Sequence, residues 1–392
     1  MQKKYLSFLL SLSLLPVCLE VDLSVPGFPE MALTLGIQEK LLQQSVAWNF
    51  LGFFIGALIY GPCSEHFGRR FTLLTGFFIM TLGAWGCVLT QSIYAFSYAR
   101  FIQGLGAGAP AVLVFTIISD SFSLKQTERL IGFMNAFLTL CMAGAPGLGC
   151  LLVRLYGWKS TYWLLALLSG SVFILLVFYL PESLKTKKKF SFYSFKQDFL
   201  KLLRSPDFMI AAITPSLLFT FYMGFVVTAP LLYCHIFNTS LFSYGLYQSF
   251  FLGVFAFVSL LSSKITTYFG KKETLIFSNT LIMAGSLSLV VTGIFFPESP
   301  FLTTASMSFY SIGFALAYPL LFSRSLSLFP VLKGLSTSLI MSLRMLISAF
   351  SLFCLSNAYQ HSLLSLAFAL LPLALLFMSG IILLHHKKLK SC

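Results

Sequence analysis

Two carboxylic acids lie near the start of the chain, in the run Glu20-Val-Asp22-Leu-Ser-Val-Pro26-Gly-Phe-Pro29, at the end of a long apolar stretch. An ionisable side chain inside a bilayer is costly to bury, so its presence there indicates function. The chemistry open to such a carboxyl group is to load and release a proton near neutral pH. In the alternative interpretation the apolar helix ends before Glu20, and both acids lie in water.

Two arginines also fall within apolar stretches. Arg100 begins the run Arg100-Phe-Ile-Gln103-Gly-Leu-Gly-Ala-Gly-Ala-Pro, and Arg344 lies in Ser-Leu-Arg344-Met-Leu. Arg100 is either an end anchor whose guanidinium reaches the membrane interface or a buried cation. Arg344 lies deep enough that it must meet an acid, a carbonyl group or water in a cavity. The glycines after Gln103 predict a small-residue face for close helix packing.

A short basic turn, Gly61-Pro-Cys-Ser-Glu65-His-Phe-Gly68-Arg69-Arg70, separates two long apolar runs. Basic residues in short loops resist translocation, so the turn is predicted to be cytoplasmic. A generic hydrophilic loop explains the arginines but not Gly61, Glu65 and Gly68 at these spacings. The acid one turn earlier can hold an ion pair that breaks and re-forms during a conformational change. The predicted gating residues are Gly61, Glu65, Gly68, Arg69, Arg70 and Asp120, the last at the cytoplasmic end of the fourth apolar run.

The composition is that of an integral membrane protein. Of the 392 residues, 57% are hydrophobic and only 10% are charged, against about 25% charged in soluble domains. The formal net charge of +14 is compatible with nucleic-acid binding, but most of the 26 Lys and Arg fall on one side of the assigned spans, which excludes a nucleic-acid partner. The eight cysteines and five histidines are scattered, so no metal site or disulfide is predicted.

Twelve apolar segments reach the length of about 20 residues that a membrane-crossing helix needs. Their predicted boundaries are 5–28, 42–62, 71–90, 94–118, 130–153, 159–180, 207–232, 243–264, 272–295, 300–322, 335–357 and 361–385. An even number of spans puts both termini on one side, and the basic residues at both ends indicate the cytoplasm.

The spans fall into two groups of six, residues 1–180 and 207–392, joined by the basic stretch 181–206. Lys185 to Lys189 precede Phe192, Phe195, Phe199 and Leu202, whose helical spacing predicts an interfacial amphipathic helix. Two echoes support an internal repeat. Phe67-Gly68-Arg69-Arg70 recurs as Phe269-Gly270-Lys271-Lys272, and Ser119-Asp120-Ser121 recurs as Ser323-Arg324-Ser325. The predicted fold is an all-α membrane protein with two pseudo-symmetric six-helix bundles around a central cavity.

The fifth span contains Gly144-Ala145-Pro146-Gly147-Leu148-Gly149-Cys150. The proline removes one backbone hydrogen bond, and the small residues permit bending and close contact. We therefore expect Gly144, Ala145, Pro146 and Gly149 to form a hinge or a seal against the eighth span. A simple helix kink is the alternative.

These motifs resemble those of the major facilitator superfamily. The turn at Gly61–Arg70 is similar to its loop between helices 2 and 3, with Glu65 for the usual aspartate and His66 for the usual arginine. Arg100-x-x-Gln103-Gly resembles its helix 4 signature. Asp22-x-x-x-Pro26-x-x-Pro29 resembles helix 1 of the bicyclomycin-resistance branch of drug/proton antiporters. The Gly144–Cys150 run resembles the exporter signature of helix 5, relaxed to Ala-Pro and ending in cysteine.

The resemblance implies alternating access by two bundles that rock about a site near the midplane. It implies that Asp22 carries the proton with Glu20 as helper, and that Arg100 modulates their proton affinity. The expected activity is proton-coupled export of small hydrophobic or cationic compounds, powered by the proton gradient with no cofactor. A monomer in the bacterial inner membrane is expected. Possible cavity residues are Gln103, Trp48, Tyr222, Tyr247 and Arg344.

The sequence leaves two alternatives to an export function. A proton symporter that imports a metabolite would keep the loop signature but not need the helix 5 motif. An enzyme embedded in the membrane would need a cluster of His, Asp or Cys residues. The sequence contains no such cluster, which disfavours an enzyme.

Overall fold

The computed structural model describes residues 2–184, 192–329 and 332–389, and this part of the chain consists of α-helices joined by short turns. The helices are α1 (Gln2–Leu19), α2 (Phe28–Leu35), α3 (Glu39–Phe67), α4 (Arg69–Leu89), α5 (Ile93–Ser121), α6 (Leu124–Tyr156), α7 (Lys159–Tyr179), α8 (Phe192–Leu203), α9 (Pro206–Leu231), α10 (Leu241–Phe269), α11 (Lys271–Phe295), α12 (Pro300–Ser327), α13 (Lys333–Ala358) and α14 (Leu363–Leu389).

Eleven helices in the described part of the chain are long and apolar enough to cross a bilayer, and the apolar helix Tyr5–Leu19 is shorter. The eleven occur in the predicted order and at the predicted places, so the all-α membrane fold is confirmed. Most run several residues beyond the predicted boundaries, because the polar first and last turns of a helix carry no hydropathy signal.

The predicted first span, 5–28, is wrong as a continuous helix. The α-helix ends at Leu19, the chain turns through Glu20–Ser24, and a 3₁₀ turn at Val25–Gly27 leads into α2. The Ser24 hydroxyl donates to the carbonyl of Glu20 at 2.6 Å, and Pro26 has no N–H to continue the ladder. All residues from Glu20 to Pro29 are buried, so the two acids lie at a helix break inside the protein.

The bundle has two ends, which we name after residues there. The Gly68 end contains the turns at Gly68 and Gly270, and the Glu39 end contains the turns between α4 and α5 and between α6 and α7. Helix α5 runs between them and packs closely on both α3 and α4. A Cβ on Gly104 would overlap the carbonyl of Asn49, and one on Gly106 would overlap the backbone of Met80. The predicted small-residue face therefore brings α3 and α4 against α5.

Helices α1 to α7 precede α8, and α9 to α14 follow it; we call these the N-terminal and C-terminal halves. The halves meet along two main seams, α3 against α13 and α6 against α10. Helix α8 lies in the predicted linker, and its Leu202 is fully buried with Phe208 of α9 and Leu339 and Ile340 of α13. The predicted linker also contains four lysines, at positions 185, 187, 188 and 189, and these lie outside the described residues.

Candidate functional site

Asp22 connects the two halves. It is 1% exposed, and its Oδ1 accepts a hydrogen bond of 2.9 Å from the hydroxyl of Tyr222 in α9. Its Oδ2 is buried and has no hydrogen-bond partner among the described residues. The sequence suggested Tyr222 only as an aromatic that stacks on substrate. In the structure its hydroxyl holds the candidate proton carrier, and Oδ2 is free to receive a proton.

Glu20 lies in the same helix break and faces the N-terminal half. The positive charge of Arg100 acts on its carboxylate, and the Asn49 side chain lies beside it. Glu20 is 3% exposed and its Oε2 has no partner among the described residues. The structure thus separates two acids that are two residues apart in sequence: Glu20 faces a cation in its own half, and Asp22 faces the other half.

Arg100 is completely buried, which rules out the end-anchor interpretation. Its Nη1 donates to Oε1 of Gln103 at 2.7 Å, and its Cζ lies 5.9 Å from the centre of the Tyr162 ring. The Asn49 side chain donates to the backbone carbonyl of Arg100 at 3.1 Å. Nε and Nη2 of Arg100 have no hydrogen-bond partner in the described part of the chain. Gln103 and Asn49 therefore hold the arginine in place.

Arg344 in α13 is half-buried and meets no acid within ion-pair distance among the described residues. Its Nη1 donates to the hydroxyl of Tyr318 in α12 at 2.7 Å. Its Cζ lies 4.5 Å from the centre of the Phe219 ring of α9, a cation–π contact. In place of the acid that was one of the expected partners, the guanidinium contacts a phenol hydroxyl and an aromatic face.

Arg69 is held at the Gly68 end by groups from α3 and α5. Its Nε lies 3.2 Å from Oδ2 of Asp120, and its Nη1 donates to the hydroxyl of Ser64. Glu65, the other acid that the sequence offered to Arg69, is exposed. Among the described residues no ion pair joins Glu65 to Arg69. The ion pair at the predicted gating turn is therefore that of Arg69 with Asp120, and it tethers the start of α4 to the end of α5.

Glu182, just after α7, caps the start of α4. Its two oxygens accept from the backbone N–H groups of Arg69, at 3.0 Å, and Arg70, at 3.3 Å. The first N–H groups of a helix have no partner in the helix, and a carboxylate satisfies them and the helix dipole. Gly68 has a φ of 106°, and a Cβ there would overlap the Glu182 carboxylate. The turn therefore requires glycine.

Arg70 and Gly61, two more of the predicted gating residues, lie near the turn at Gly68. Arg70 is exposed and its Nη2 donates to the carbonyl of Val177 in α7 at 2.6 Å. Gly61 lies on α3 where a Cβ would stand 2.8 Å from the hydroxyl oxygen of Ser338 in α13. Gly61 therefore allows close approach of the two halves rather than of two helices in one half.

The small residues of α6 face two different neighbours. A Cβ on Gly149 would overlap the carbonyl of Leu23 in the helix break, whereas one on Gly147 would lie 3.1 Å from Ser249 of α10. Ala145 and Pro146 are buried, but Gly144 is exposed and a Cβ there would meet nothing. The α6–α10 contact lies where the sequence expected it. Gly149 instead packs on the segment that carries Asp22.

Contacts at the Glu39 end also join the halves, and the sequence analysis missed them. Glu39, at the start of α3, accepts from His235 at 2.6 Å and lies 3.4 Å from His361, both in the C-terminal half. Gln43 donates to the hydroxyl of Thr228 at 3.2 Å. Polar residues at the start of an apolar span were the available signal, but nothing in the sequence identifies their partners.

The two remaining aromatic candidates lie away from Asp22. Trp48 is 41% exposed and contacts Phe101 and Phe353 edge-on, on the seam of α3, α5 and α13. The Tyr247 ring is tilted by 50° against the Tyr233 ring, with 5.7 Å between ring centres, towards the Glu39 end. A separate groove of about 220 Å³ between α9, α13 and α14 has an apolar lining that includes Phe350 and Leu373 but no charged residue. It offers no chemistry.

Comparison with known proteins places these observations. The model of the Major Facilitator Superfamily matches residues 10–352. The multidrug resistance protein MdtL of Shewanella sp. (strain ANA-3) is 27% identical over 334 residues, which cover 82% of this chain and 80% of that protein. The bicyclomycin resistance protein homolog of Haemophilus influenzae is 24% identical over 297 residues, 75% of each chain.

Solved structures show the same fold. The xylose transporter XylE from E. coli, in a partially occluded inward-open conformation, aligns with a TM-score of 0.72. The alignment covers 95% of this chain and 96% of that one at 17% identity. At this identity the likeness concerns the architecture alone.

Proposed function

Because the chain belongs to the Major Facilitator Superfamily, we propose that this membrane transporter exports small hydrophobic compounds in exchange for protons, by alternating access. Two relatives named for multidrug and bicyclomycin resistance support export, as does the Gly144–Cys150 run in α6. The observation that carries the proposal is the hydrogen bond from Tyr222 to Asp22, since it joins the two halves through a carboxyl group that can take up a proton.

The coupling follows from the strength of that bond. A hydrogen bond to an ionised carboxylate is roughly twice as strong as one between neutral groups. Protonation of Asp22 therefore weakens the link between α9 and the helix break, and deprotonation restores it. Rocking of the halves, which changes the side from which Asp22 is reached, then becomes linked to the proton.

Glu20 and Arg100 act as the fixed part of this site. Arg100 is held by Gln103 and Asn49, and its charge acts on Glu20 within one half. This pair is expected to tune the electrostatic field around Asp22 and to stay together while the halves rock. Each proton that crosses gains about 2.3 kcal/mol per 100 mV of membrane potential, which drives substrate uphill.

We further propose that the Gly68 end is cytoplasmic, as are both termini, because of its Lys and Arg residues. There the Arg69–Asp120 ion pair and the Glu182 cap form a latch that is released and re-formed in each cycle. The proposed units are residues 1–180 and 207–392, joined by 181–206, in a monomer that needs no cofactor.

The test is proton-linked transport by Asp22→Asn and Tyr222→Phe in everted vesicles, with a panel of dyes and antibiotics. We expect Asp22→Asn to abolish gradient-driven accumulation and Tyr222→Phe to reduce it, with normal insertion of both proteins. Asp198→Asn in α8 is the matched control and should transport normally. Substrate-induced proton flux that persists in Asp22→Asn would refute Asp22 as the carrier.

Transport in vesicles of the two orientations shows the direction in which the protein moves its substrate. Proton-driven accumulation in everted vesicles corresponds to export from the cell. If the compounds accumulate only in right-side-out vesicles, together with protons, the protein is a symporter for uptake and the exporter proposal is wrong.

A further inference from the structure

Arg344 differs from Arg69 and Arg100 in the groups that its charge meets. Arg69 has Asp120 at 3.2 Å, and the charge of Arg100 acts on the carboxylate of Glu20 without an ion-pair contact. Within the described residues no carboxylate lies within ion-pair distance of Arg344, which instead contacts the Tyr318 hydroxyl and the Phe219 ring. A half-buried guanidinium with no carboxylate beside it is available to an anionic ligand.

Arg344 lies in the C-terminal half, close to the contact with the N-terminal half. The side chain extends from α13 to α9 and α12, and it is half-buried, so solvent or a ligand reaches it. The Phe219 ring beside Arg344 also lies 6.2 Å, between ring centres, from the ring of Phe50 in α3 of the N-terminal half. The arginine is therefore one aromatic ring away from the N-terminal half.

Aromatic rings form a series of contacts that leads from Arg344 to Asp22. The Phe219 ring under the guanidinium has its centre 6.2 Å from that of Tyr222, whose hydroxyl binds Asp22. On the α12 side, Tyr318 lies 5.6 Å from Phe314, which is 6.0 Å from Tyr222. We call Phe219, Tyr222, Phe314 and Tyr318 the aromatic wall. It runs from a positive charge at one end to a titratable acid at the other.

We propose that Arg344 binds the anionic group of an amphipathic aromatic substrate whose rings pack on the aromatic wall. This rests on the proposed transport function and names its substrate class. The buried Nε–H of Arg344 has no hydrogen-bond partner among the described residues and is available for a carboxylate. Guanidinium binds a carboxylate through two N–H groups, whereas a substrate cation would be repelled.

The energetics of the membrane agree with this assignment. A monoanion leaving a cell that is negative inside moves down the electrical gradient, and the proton that enters does so as well. Each charge gains about 2.3 kcal/mol per 100 mV. Exchange of a proton for an anion is therefore driven twice by the same potential.

The experiment compares three ligands that share one ring system and differ in charge: naphthoate, naphthamide and naphthylmethylammonium. Binding to the purified full-length protein in detergent is measured by equilibrium dialysis at neutral pH. We expect wild type to prefer naphthoate to the ammonium compound by roughly tenfold or more. This comparison needs no variant, so equal affinities, or a preference for the cation, would overturn the proposal.

The variants test the residue. Arg344→Gln should weaken naphthoate binding roughly 10- to 100-fold, because the loss of a hydrogen bond to a charged group has an effect of that size on affinity. The affinity for naphthamide should be almost unchanged. Arg344→Lys should retain part of the naphthoate affinity. Arg154→Gln, which removes an exposed arginine of α6, is the matched control and should bind like wild type. An equal loss for all three ligands in Arg344→Gln would indicate a structural role and refute the proposal.

Ethidium export separates this proposal from the transport function. If vesicles export ethidium with the gradient while the protein shows no preference for naphthoate, the substrate-class proposal fails alone. If no compound moves with the proton gradient although naphthoate binds at Arg344, it is the proposed function that fails.

Discussion

The N-terminal and C-terminal halves repeat one backbone but treat their charges differently. Gly68 and Gly270 stand 202 positions apart, with φ values of 106° and 90°, and each begins a helix, α4 and α11. In both turns the preceding helix ends at a phenylalanine and basic residues follow. The repeat therefore reproduces the geometry of the turn closely.

The partners of the arginines are what differ. In the N-terminal half Arg69 pairs with Asp120, and Arg100 has the nearby Glu20. The position that matches Asp120 in the repeat holds Arg324, which donates to the backbone carbonyl of Leu384 at 3.0 Å. Arg344 contacts a phenol and a ring. An acid therefore acts on both Arg69 and Arg100, whereas Arg324 and Arg344 contact carbonyl, hydroxyl and aromatic groups.

This difference teaches that the internal repeat fixes helix packing, while single substitutions assign each half its task. Replacing an acid by an arginine at one position of the repeat keeps the helix and removes the ion pair. The difference between the halves supports the proposed division of labour. In that proposal the N-terminal half carries the proton and the latch, and the C-terminal half binds the charged group of the substrate. The following predictions test that division, beginning with the largest effect.

Removing Arg100 should cost far more stability than removing Arg344. Arg100→Gln leaves the buried Glu20 without its cation, and breaking a buried charge pair costs about 3–5 kcal/mol. Arg344→Gln loses a hydrogen bond and a cation–π contact, worth about 1–3 kcal/mol together. Thermal unfolding in detergent measures both. Equal losses would mean that the two halves hold their buried arginines in the same way.

A bulky residue on the face of α6 that packs on the helix break should disable transport. Gly149→Leu must displace the backbone at Leu23, at a cost of about 1–3 kcal/mol and with a passive proton leak in liposomes. Gly144→Leu, five residues earlier on an open surface, is the control and should transport normally. Normal, tightly coupled transport by Gly149→Leu would show that the break tolerates movement and does not fix Asp22.

The two turn glycines should differ when each becomes valine. Both changes force a branched side chain to positive φ, at roughly 1–2 kcal/mol. Gly68→Val also displaces Glu182 from the start of α4, whereas at Gly270 the nearest atom is the flexible end of Glu273, at 2.7 Å. Turnover by Gly68→Val should therefore fall more than turnover by Gly270→Val, with substrate affinity unchanged in both. A larger loss for Gly270→Val would reverse the assignment of the latch.

The smallest effect is expected for the partly exposed ion pair. Asp120→Asn should cost about 0.2–1 kcal/mol and slow turnover a few-fold without changing equilibrium binding of substrate. Arg324→Gln, at the matching position of the other half, should have less effect on turnover, because it loses one hydrogen bond and no ion pair. A large loss of binding in Asp120→Asn would place this pair in the substrate site.

Much of the architecture was predictable because its signals are local. Hydropathy located eleven spans, and the glycine spacing identified the turns and the close packing of α5. The two prolines near Asp22 were visible too, but the continuous span 5–28 was wrong, since hydropathy averages over a break that Ser24 and Pro26 create. Glu65 and Asp120 were both available to Arg69 by sequence, and only the direction of each helix face selected Asp120.

The sequence by itself therefore determined the helices, their order, the repeat and the residues with chemistry to offer. Tertiary structure alone decided the partners: Tyr222 for Asp22 across 200 residues, Glu182 for the start of α4, and two histidines for Glu39. The physical reason is the range of the forces involved. Transfer into lipid and backbone geometry act on residues near in sequence. A hydrogen bond or ion pair needs atoms about 3 Å apart, and in a bundle that separation is set by the packing of distant helices.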